Sequence, residues 1–226
     1  EKLYWAASAN KLKLVKKYVE QGMDVNEADN TKMTPLICAT TANASPIVEY
    51  LLSMNASLEA ANEVGQTSLH IASQGKREEV LKVLLKNGAN VNARDKLGCT
   101  PLFLASSAGL MHELRLLIAN SANLNVTTAD GSSCVHTACK AGRIEVLKVL
   151  VKAGAKVTVR NKAGELPLDV ATEEVKAELT NNLEHVKMCV EQGMDVNEAD
   201  NTKMTPLMCA TTANASPIVE YLLSMN

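Results

Sequence analysis

Two short sequence signatures recur along this chain at one fixed interval. The first reads TPLICAT at 34, TSLHIAS at 67, TPLFLAS at 100, SCVHTAC at 133 and LPLDVAT at 166, each 33 residues after the one before. A second signature, typified by LKNGANVN at 85 and VKAGAKVT at 151, keeps the same period. A period of this length is typical of repeat proteins, in which similar units stack side by side. We therefore expect an array of repeats rather than one globular core.

The first signature is predicted to begin a short helix in each repeat. A Thr hydroxyl can accept a hydrogen bond from the free N–H groups of a first turn, and Pro fits the first helical position because its missing N–H is not needed there. Thr34-Pro35 and Thr100-Pro101 have this pattern. Ser45-Pro46 repeats it, with apolar residues at helical spacing behind it. This predicts a second helix with the same kind of cap.

The second signature is predicted to end the second helix of each repeat. The residues there are of types that tolerate the left-handed conformation common at helix ends; they are Gly22, Asn55, Gly88, Gly154 and Gly193. Ser121 is the exception and is expected to be slightly strained or differently capped. Between this stop and the next TPL, stretches such as ANVNARDKLG carry Asn, Asp and Gly suited to turns, which predicts an extended finger with a tight tip.

A helix pair plus finger of 33 residues cannot bury its own apolar face, so neighbouring repeats must stack. The predicted fold is all-α, an α-solenoid of stacked helix-turn-helix repeats with projecting β-hairpin-like finger loops. We expect a single array over 1–226. Its repeats are predicted at about 1–28, 29–61, 62–94, 95–127 and 128–160, followed by an irregular repeat at 161–199 and a truncated one at 200–226.

This pattern resembles the ankyrin repeat family, whose repeat runs D-x-x-G-x-T-P-L-H-x-A-A and has a second helix that ends L-L-x-x-G-A-x-V-N. DKLGCTPLFLASSAG at 95–109 and LKVLLKNGANVNARD at 81–95 carry the match. The resemblance implies an L-shaped stack, with fingers at right angles to the helices and a concave surface that binds other proteins. It also implies a protein without catalytic activity.

Some positions depart from the family pattern. The His of TPLH remains only at His70 and His136; elsewhere its place is taken by Tyr4, Ile37, Phe103, Asp169 and Met208. The resemblance implies that this His fastens a local turn, so some repeats are expected to be looser. Lys32 and Lys203 replace the Gly of the finger tip.

Charge and composition argue against several function classes. The net charge of −2 and the pI of about 6.1 provide no basic face for nucleic acid. No apolar run approaches the roughly 18 residues of a membrane span, and the start lacks the layout of a signal peptide. Six cysteines at mostly apolar positions, in a chain too large to depend on disulfides, favour reduced thiols and an intracellular location, cytoplasmic or nuclear.

The sharpest candidate for chemistry is CVHTAC, where Cys134, His136 and Cys139 are close enough in sequence to suggest zinc. A structural zinc site takes four ligands, and no matching pair exists. Each residue also has a packing explanation, since Cys134 replaces the repeat's Pro, His136 is its usual His and Cys139 replaces a small Ala. We favour this explanation. No nucleophile, metalloprotease or phosphate-loop motif occurs, so no enzyme activity, metal or cofactor is predicted.

Two features of the first repeat have alternative interpretations. Lys11, Lys13, Lys16 and Lys17 lie on one predicted helix and could attract an acidic partner or phospholipid, although a solvated face is favoured. Trp5 could anchor a ligand, but its register favours core or end-cap packing.

The ankyrin resemblance implies that partner-facing residues lie just before TPL and near the end of the first helix. The positions selected in this way are Met33, Thr41, Glu63, Val64, Gln66, Gln74, Lys96, Leu97, Cys99, Ser107, Asp130, Ser132 and Lys140. Exposed apolar residues in a row can mark a binding strip, so a protein-binding scaffold, monomeric and with another protein as partner, is the favoured function. The alternative is a structural spacer or spring in a larger multidomain protein.

The sixth repeat is irregular, because the distance between its two signatures is 24 residues where complete regular repeats have 18. Residues 166–179 resemble the closing repeat of many ankyrin arrays, and 181–193 resemble the opening segment at 10–22. A junction near 180–184 is therefore predicted. One long helix over about 173–192 and two helices with a loop near 180–182 both fit the pattern.

Residues 190–226 repeat residues 19–55 except that Met208 replaces Ile37. In the first copy, the following repeat is expected to cover the apolar face of 34–55. The same face of 205–226 is expected to be covered either by a continuation of the parent chain or by a neighbouring molecule. In the second case, residues 190–226 could displace 19–55 of another copy in a head-to-tail swap.

Overall fold

The computed structural model describes residues 2–181, 186–187, 190–193, 195, 197, 199, 205 and 216–224. Among these residues the regular elements are helices: α1 Leu3–Ser8, α2 Leu12–Glu20, α3 Pro35–Thr41, α4 Ser45–Ser53, α5 Ser68–Ser73, α6 Glu78–Lys86, α7 Pro101–Ala108, α8 Met111–Ala119, α9 Cys134–Lys140, α10 Ile144–Lys152, α11 Glu173–Asn181 and α12 Ser216–Ser224. The chain separates into two units, Glu1–Asn123 and Leu124–Asn226.

The first unit consists of two layers of helices. The short first helices α1, α3, α5 and α7 pack side by side in one row, and the second helices α2, α4, α6 and α8 pack in another. Each first helix also contacts the second helix of its own repeat. The all-α solenoid class of stacked helix-turn-helix repeats predicted from the sequence is therefore confirmed.

Buried residues in the first unit follow the repeat period. Leu3, Leu36, Leu69 and Leu102 are spaced by 33 residues and are almost completely buried in the first helices. Val48, Leu81 and Leu114 repeat in the same way in the second helices. Each repeat thus contributes the same aliphatic positions to one continuous core, which replaces the aromatic residues that this chain largely lacks.

The second unit begins with the same helix pair. α9 packs against α10, and Val135, Val146, Leu147 and Leu150 are buried. The fifth signature departs from the prediction, because residues 167–170 form turns and the next helix is α11. Leu166 stands where other repeats have a capping Thr or Ser, so it offers no side-chain acceptor; its own N–H instead donates to the Asp169 carboxylate at 2.7 Å.

Helix caps agree with the sequence at the first helices and differ at the second. The hydroxyls of Thr34 and Thr100 accept hydrogen bonds from the N–H groups of Ile37 and Phe103, both at 3.3 Å. The predicted Ser45 cap is wrong: α4 begins at Ser45, and its N-cap is Ala44. The turn between α3 and α4 is too tight to place Ser45 outside the helix, since the Val48 N–H already donates to the Ala44 carbonyl at 3.0 Å.

The predicted left-handed residues at the ends of the second helices are confirmed. Their φ angles are positive at Gly22, Asn55, Gly88, Ser121, Gly154 and Gly193. Ser121 therefore holds φ 64° without the freedom of glycine, which is the strain expected at this position. Lys32 likewise adopts φ 58° in place of a tip glycine.

Side-chain oxygens connect each repeat to the base of the next finger. Within the first unit, the Ser57 N–H donates to Asn26 Oδ1 at 2.8 Å, and the Asn90 N–H donates to Glu59 Oε1 at 2.8 Å. The Asn123 N–H donates to Asn92 Oδ1 at 2.7 Å. These inter-repeat links recur in register, so one repeat sets the position of the following one.

Three predictions concern residues that the structure does not describe or does not test. The choice between one helix over 173–192 and two helices depends on residues 182–185, which lie outside the described residues. Cys189, Lys203 and Met208 lie outside them as well. The single array over 1–226, with its repeat boundaries and its junction near 180–184, stays a prediction.

Candidate functional site

Each finger tip of the first unit is a turn closed by one carboxylate or amide oxygen. Asp29 Oδ1 accepts hydrogen bonds from the N–H groups of Thr31 and Met33 at 2.8 and 2.9 Å. Asn62 Oδ1 closes the next tip in the same way, and Asp95 Oδ1 the one after it. Hydrogen bonds, first that from the Thr31 hydroxyl, lower the pKa of Asp29, so this acceptor stays ionised at neutral pH. Such turns hold the tip residues in fixed positions.

Neighbouring fingers are also joined through their backbones. The Glu63 N–H donates to the Thr31 carbonyl at 3.1 Å, and the Lys96 N–H donates to the Val64 carbonyl at 3.0 Å. In the second finger an antiparallel bridge between Ala61 and Thr67 makes the finger hairpin-like. The tips of the first unit therefore form a continuous surface.

The structure places two large apolar side chains on this surface. Val64 is 55% exposed and Leu97 is 68% exposed, and they hold equivalent positions on adjacent fingers. The backbone bond between their fingers brings these two residues close together. Glu63 and Lys96, each directly before one of them, are exposed charges of opposite sign.

Other predicted partner-facing residues of the first unit are placed less uniformly. Cys99 is only 8% exposed, so its expected exposure is wrong: its N–H donates to Asp95 inside the turn and its carbonyl faces His70. Met33 and Ser107 are partly buried, whereas Thr41 is exposed. The finger and the helix end do meet at one point, because Gln74 Nε2 donates to Gln66 Oε1 at 3.5 Å.

We call the exposed group formed by Glu63, Val64, Gln66, Gln74, Lys96 and Leu97 the finger-tip strip. In the second unit, Asp130 and Lys140 are exposed and Ser132 is partly buried. Asp130 closes its own tip, since the Ser132 N–H donates to Asp130 Oδ1 at 3.2 Å. The hydrogen bond from the Thr128 hydroxyl is the main reason why the pKa of Asp130 lies below its usual value.

Sequence reasoning assigned His70 to a local turn and missed its contact with the next repeat. The Thr67 N–H donates to His70 Nδ1 at 3.2 Å. Nε2 therefore carries the proton of the neutral ring and donates to the Cys99 carbonyl, 3.1 Å away in the following finger. Burial is the main reason why the pKa of His70 is lowered.

Arg77 was also missed, and it connects two repeats. Its guanidinium donates to the carbonyl of Thr41 in the preceding repeat at 3.1 and 3.3 Å, and to the Ile71 carbonyl in its own repeat at 2.9 Å. Its spacing from the TPL-type signature gave no signal, because Ala44 and Leu110 occupy the equivalent positions. Arg77 and His70 together fix where the finger-tip strip lies on the helices.

The CVHTAC segment has the geometry of its packing explanation. His136 uses both ring nitrogens, one facing Ser133 at 3.2 Å and one facing the Glu165 carbonyl at 3.1 Å. Cys134 Sγ donates to the Leu124 carbonyl at 3.0 Å, and burial raises the pKa of this thiol to about 12. In the part of the chain that the structure describes, no group of His, Cys, Asp and Glu is arranged to hold a metal ion.

The first repeat differs from one of the two expectations made for it. Trp5 is 48% exposed, so core packing is wrong; Lys11 Nζ lies 4.7 Å from the centre of its ring and covers it in part. The four lysines of this region are exposed, as the solvated-face interpretation predicts. Lys16 lies over Tyr50 at 5.4 Å.

Comparison with known families connects this geometry to other proteins. A family model for ankyrin repeats (3 copies) matches residues 3–95 and 87–161, and a second model for ankyrin repeats (many copies) matches residues 175–223. The matches extend over well more than half of the chain. A search of curated proteins found no match. Among the described residues, every helix is too short or too polar to span a membrane.

Proposed function

Because this chain belongs to the ankyrin repeat family, we propose that it is a non-catalytic scaffold that binds another protein through its finger-tip strip. Ankyrin repeats generally mediate protein–protein interactions. The observation that carries the proposal is the exposure of Val64 and Leu97 on two fingers that are fixed to each other. Exposed apolar side chains on a rigid surface lose little conformational entropy on binding, which makes them effective anchors.

The chemistry of the strip suggests what kind of surface would fit it. Complete burial of a Val or Leu side chain is worth about 1.5–3 kcal/mol. Since more than half of each side chain is exposed, a partner could gain about 1–2 kcal/mol from each of Val64 and Leu97. Glu63 and Lys96 flank them with opposite charges, and Gln66 and Gln74 add amide groups. We infer a partner with an apolar patch and a mixed polar rim.

The thiols support an intracellular setting for this scaffold. Cys38, Cys99, Cys134 and Cys139 are buried, and burial raises the pKa of Cys38 to about 11. Such thiols are protonated at neutral pH and are typical of proteins in reducing compartments. We therefore place the protein in the cytoplasm or nucleus.

The experiment is an affinity capture with the full chain, followed by binding measurements with the captured protein. Val64→Asp, Gln74→Glu and Leu97→Asp combined should weaken binding by at least about 30-fold, because about 2 kcal/mol of apolar contact is lost. Thermal unfolding should change little, since all three positions are exposed. Met54→Asp is the matched control, as Met54 is an exposed apolar residue away from the fingers.

Undiminished binding by the triple variant would contradict the assignment of the strip. Equal loss with Met54→Asp would show that added charge alone disturbs binding. If the wild-type chain captures nothing specific under conditions that retain its fold, the spacer alternative is favoured instead.

A further inference from the structure

The chain contains the same helix twice in two surroundings. α4 and α12 both have the sequence SPIVEYLLS. Their own repeats hold them in the same way: Lys16 lies 5.4 Å from the ring centre of Tyr50, and Lys187 lies 5.3 Å from that of Tyr221. α12 therefore reproduces the local packing of α4, and any difference in exposure between them reports on what covers each helix from the next repeat.

Exposure differs along one side of the helix only. Ile47 and Leu51 of α4 are fully buried, and their equivalents Ile218 and Leu222 in α12 are 2% and 1% exposed. On the other side, Val48 is fully buried, whereas its equivalent in α12 is only partly buried.

The contrast is larger one turn further along this side. Leu52 of α4 is partly buried, whereas Leu223 of α12 is 57% exposed. Val219 is partly buried against Ile218 and Leu222. Val219 and Leu223 are four residues apart, so they form a stripe on one face of the helix. We call this pair the α12 stripe.

The first copy shows what covers this stripe. α4 packs against α6, the second helix of the following repeat, and α3 packs against α5. An identical surface in the same molecule therefore already has a defined partner. We propose that the α12 stripe is a docking site for a repeat of the α5–α6 type, as formed by residues 56–94, and that this repeat packs on α12 as α6 packs on α4.

The physical basis is complementarity that the chain has already demonstrated. Val48 is removed from water completely by its own and the neighbouring repeat, and its equivalent Val219 is not. Since the sequences are identical, the rotamers that fit α6 are available to α12 as well. A repeat of this type would bury the two apolar side chains of the stripe, whereas an unrelated helix would have to match them anew.

The test extends the full chain after Asn226 with a second copy of residues 56–94, and in a second variant with residues 56–127. Ala56 follows Asn55 in the first copy, so the extension restores the same local sequence. The longer extension adds α7 and α8 to support the new α6. An extension with residues 122–160, of the same length as 56–94, is the matched control.

Amide hydrogen exchange of residues 218–222 is the first readout. The matching extensions should slow exchange in α12 by at least about tenfold, because the stripe is buried. Peptides from α4 and α12 have the same sequence, but fragments that reach back to Ile37 or Met208 differ in mass and can be separated. No slowing with either matching extension would overturn the proposal, and so would equal slowing with 122–160.

Paired substitutions give a second readout that does not depend on exchange. Leu52→Gln should lower the unfolding temperature in the chain as it stands, whereas Leu223→Gln should change it little. With the 56–127 extension, Leu223→Gln should become as destabilising as Leu52→Gln. An unchanged effect would overturn the proposal, as would concentration-dependent protection of α12 in the unextended chain, which would assign the stripe to a second copy of the protein.

Discussion

The most direct test of the repeat geometry is the exchange of residues at the ends of two neighbouring second helices. Ser121 and Gly88 are equivalent positions with φ 64° and 86°. Their N–H groups donate to Ile118 and Leu85 with the same length, 3.0 Å. A side chain added at Gly88 would meet nothing within 4 Å. The two sites therefore differ mainly in whether a Cβ atom is present in a left-handed conformation.

Ser121→Gly is expected to stabilise the protein. The left-handed conformation costs an ordinary residue about 1–2 kcal/mol, and the extra backbone entropy of Gly in the unfolded chain offsets about 0.5–1 kcal/mol of the gain. A net stabilisation of about 0.5–1 kcal/mol remains. In a chain of this size it corresponds to a rise in unfolding temperature of about 1–4 °C.

The reverse change, Gly88→Ser, should destabilise by a similar amount, and the double variant should be close to wild type. Urea unfolding followed by circular dichroism measures the free energy of unfolding, and hydrogen exchange in α8 shows whether the gain is local to the repeat. If Ser121→Gly leaves stability unchanged or lowers it, the positive φ of Ser121 is not a source of strain and the reasoning fails.

Two further outcomes follow from contacts in the first unit. The pKa of His70 is lowered in the folded protein, so its contribution to stability is complete above the unfolded value near 6.5 and is lost as pH falls below it, where the protonated ring would face the Thr67 N–H with a second donor. Unfolding measured between pH 7.5 and 5 should show this loss in wild type and not in His70→Asn. Gly65→Ala should destabilise by more than Gly164→Ala: the φ angles are 82° and 80°, but a Cβ at Gly65 would lie 2.8 Å from the Lys96 nitrogen, whereas at Gly164 it meets nothing within 4 Å. Equal losses in urea unfolding would contradict the close approach of the fingers.

Features governed by a few adjacent residues were predictable from the sequence. The caps at Thr34 and Thr100 and the strained Ser121 depend on local chemistry at a fixed position in the repeat, so the pattern indicated them correctly. Ser45 failed because a Ser-Pro pair can lie one residue inside a helix as well as at its cap. The tight connection after α3, rather than the pair itself, decides where α4 begins.

Features that depend on the neighbouring repeat were not predictable in the same way. The contact of His70 with the Cys99 carbonyl spans 29 residues and that of Arg77 with the Thr41 carbonyl spans 36, and both use backbone acceptors that carry no signature in the sequence. Cys99 was placed on the surface because its position precedes TPL, but the finger turns it inward. The exposure of Val64 and Leu97 was foreseeable, since neither lies on an apolar helical face.

The inter-repeat links from Asn26, Glu59 and Asn92 also bear on how the gene for such a chain can change. Each link is satisfied 31 residues further on, so unequal crossing-over by whole repeats leaves every donor with an equivalent acceptor. An exchange out of phase leaves partners unmatched at one seam. The second copy of residues 19–55 begins at 190, six residues beyond five whole periods of 33. Selection on recombinants of this kind therefore acts on phase more than on length, and it concentrates tolerated irregularity at the seam.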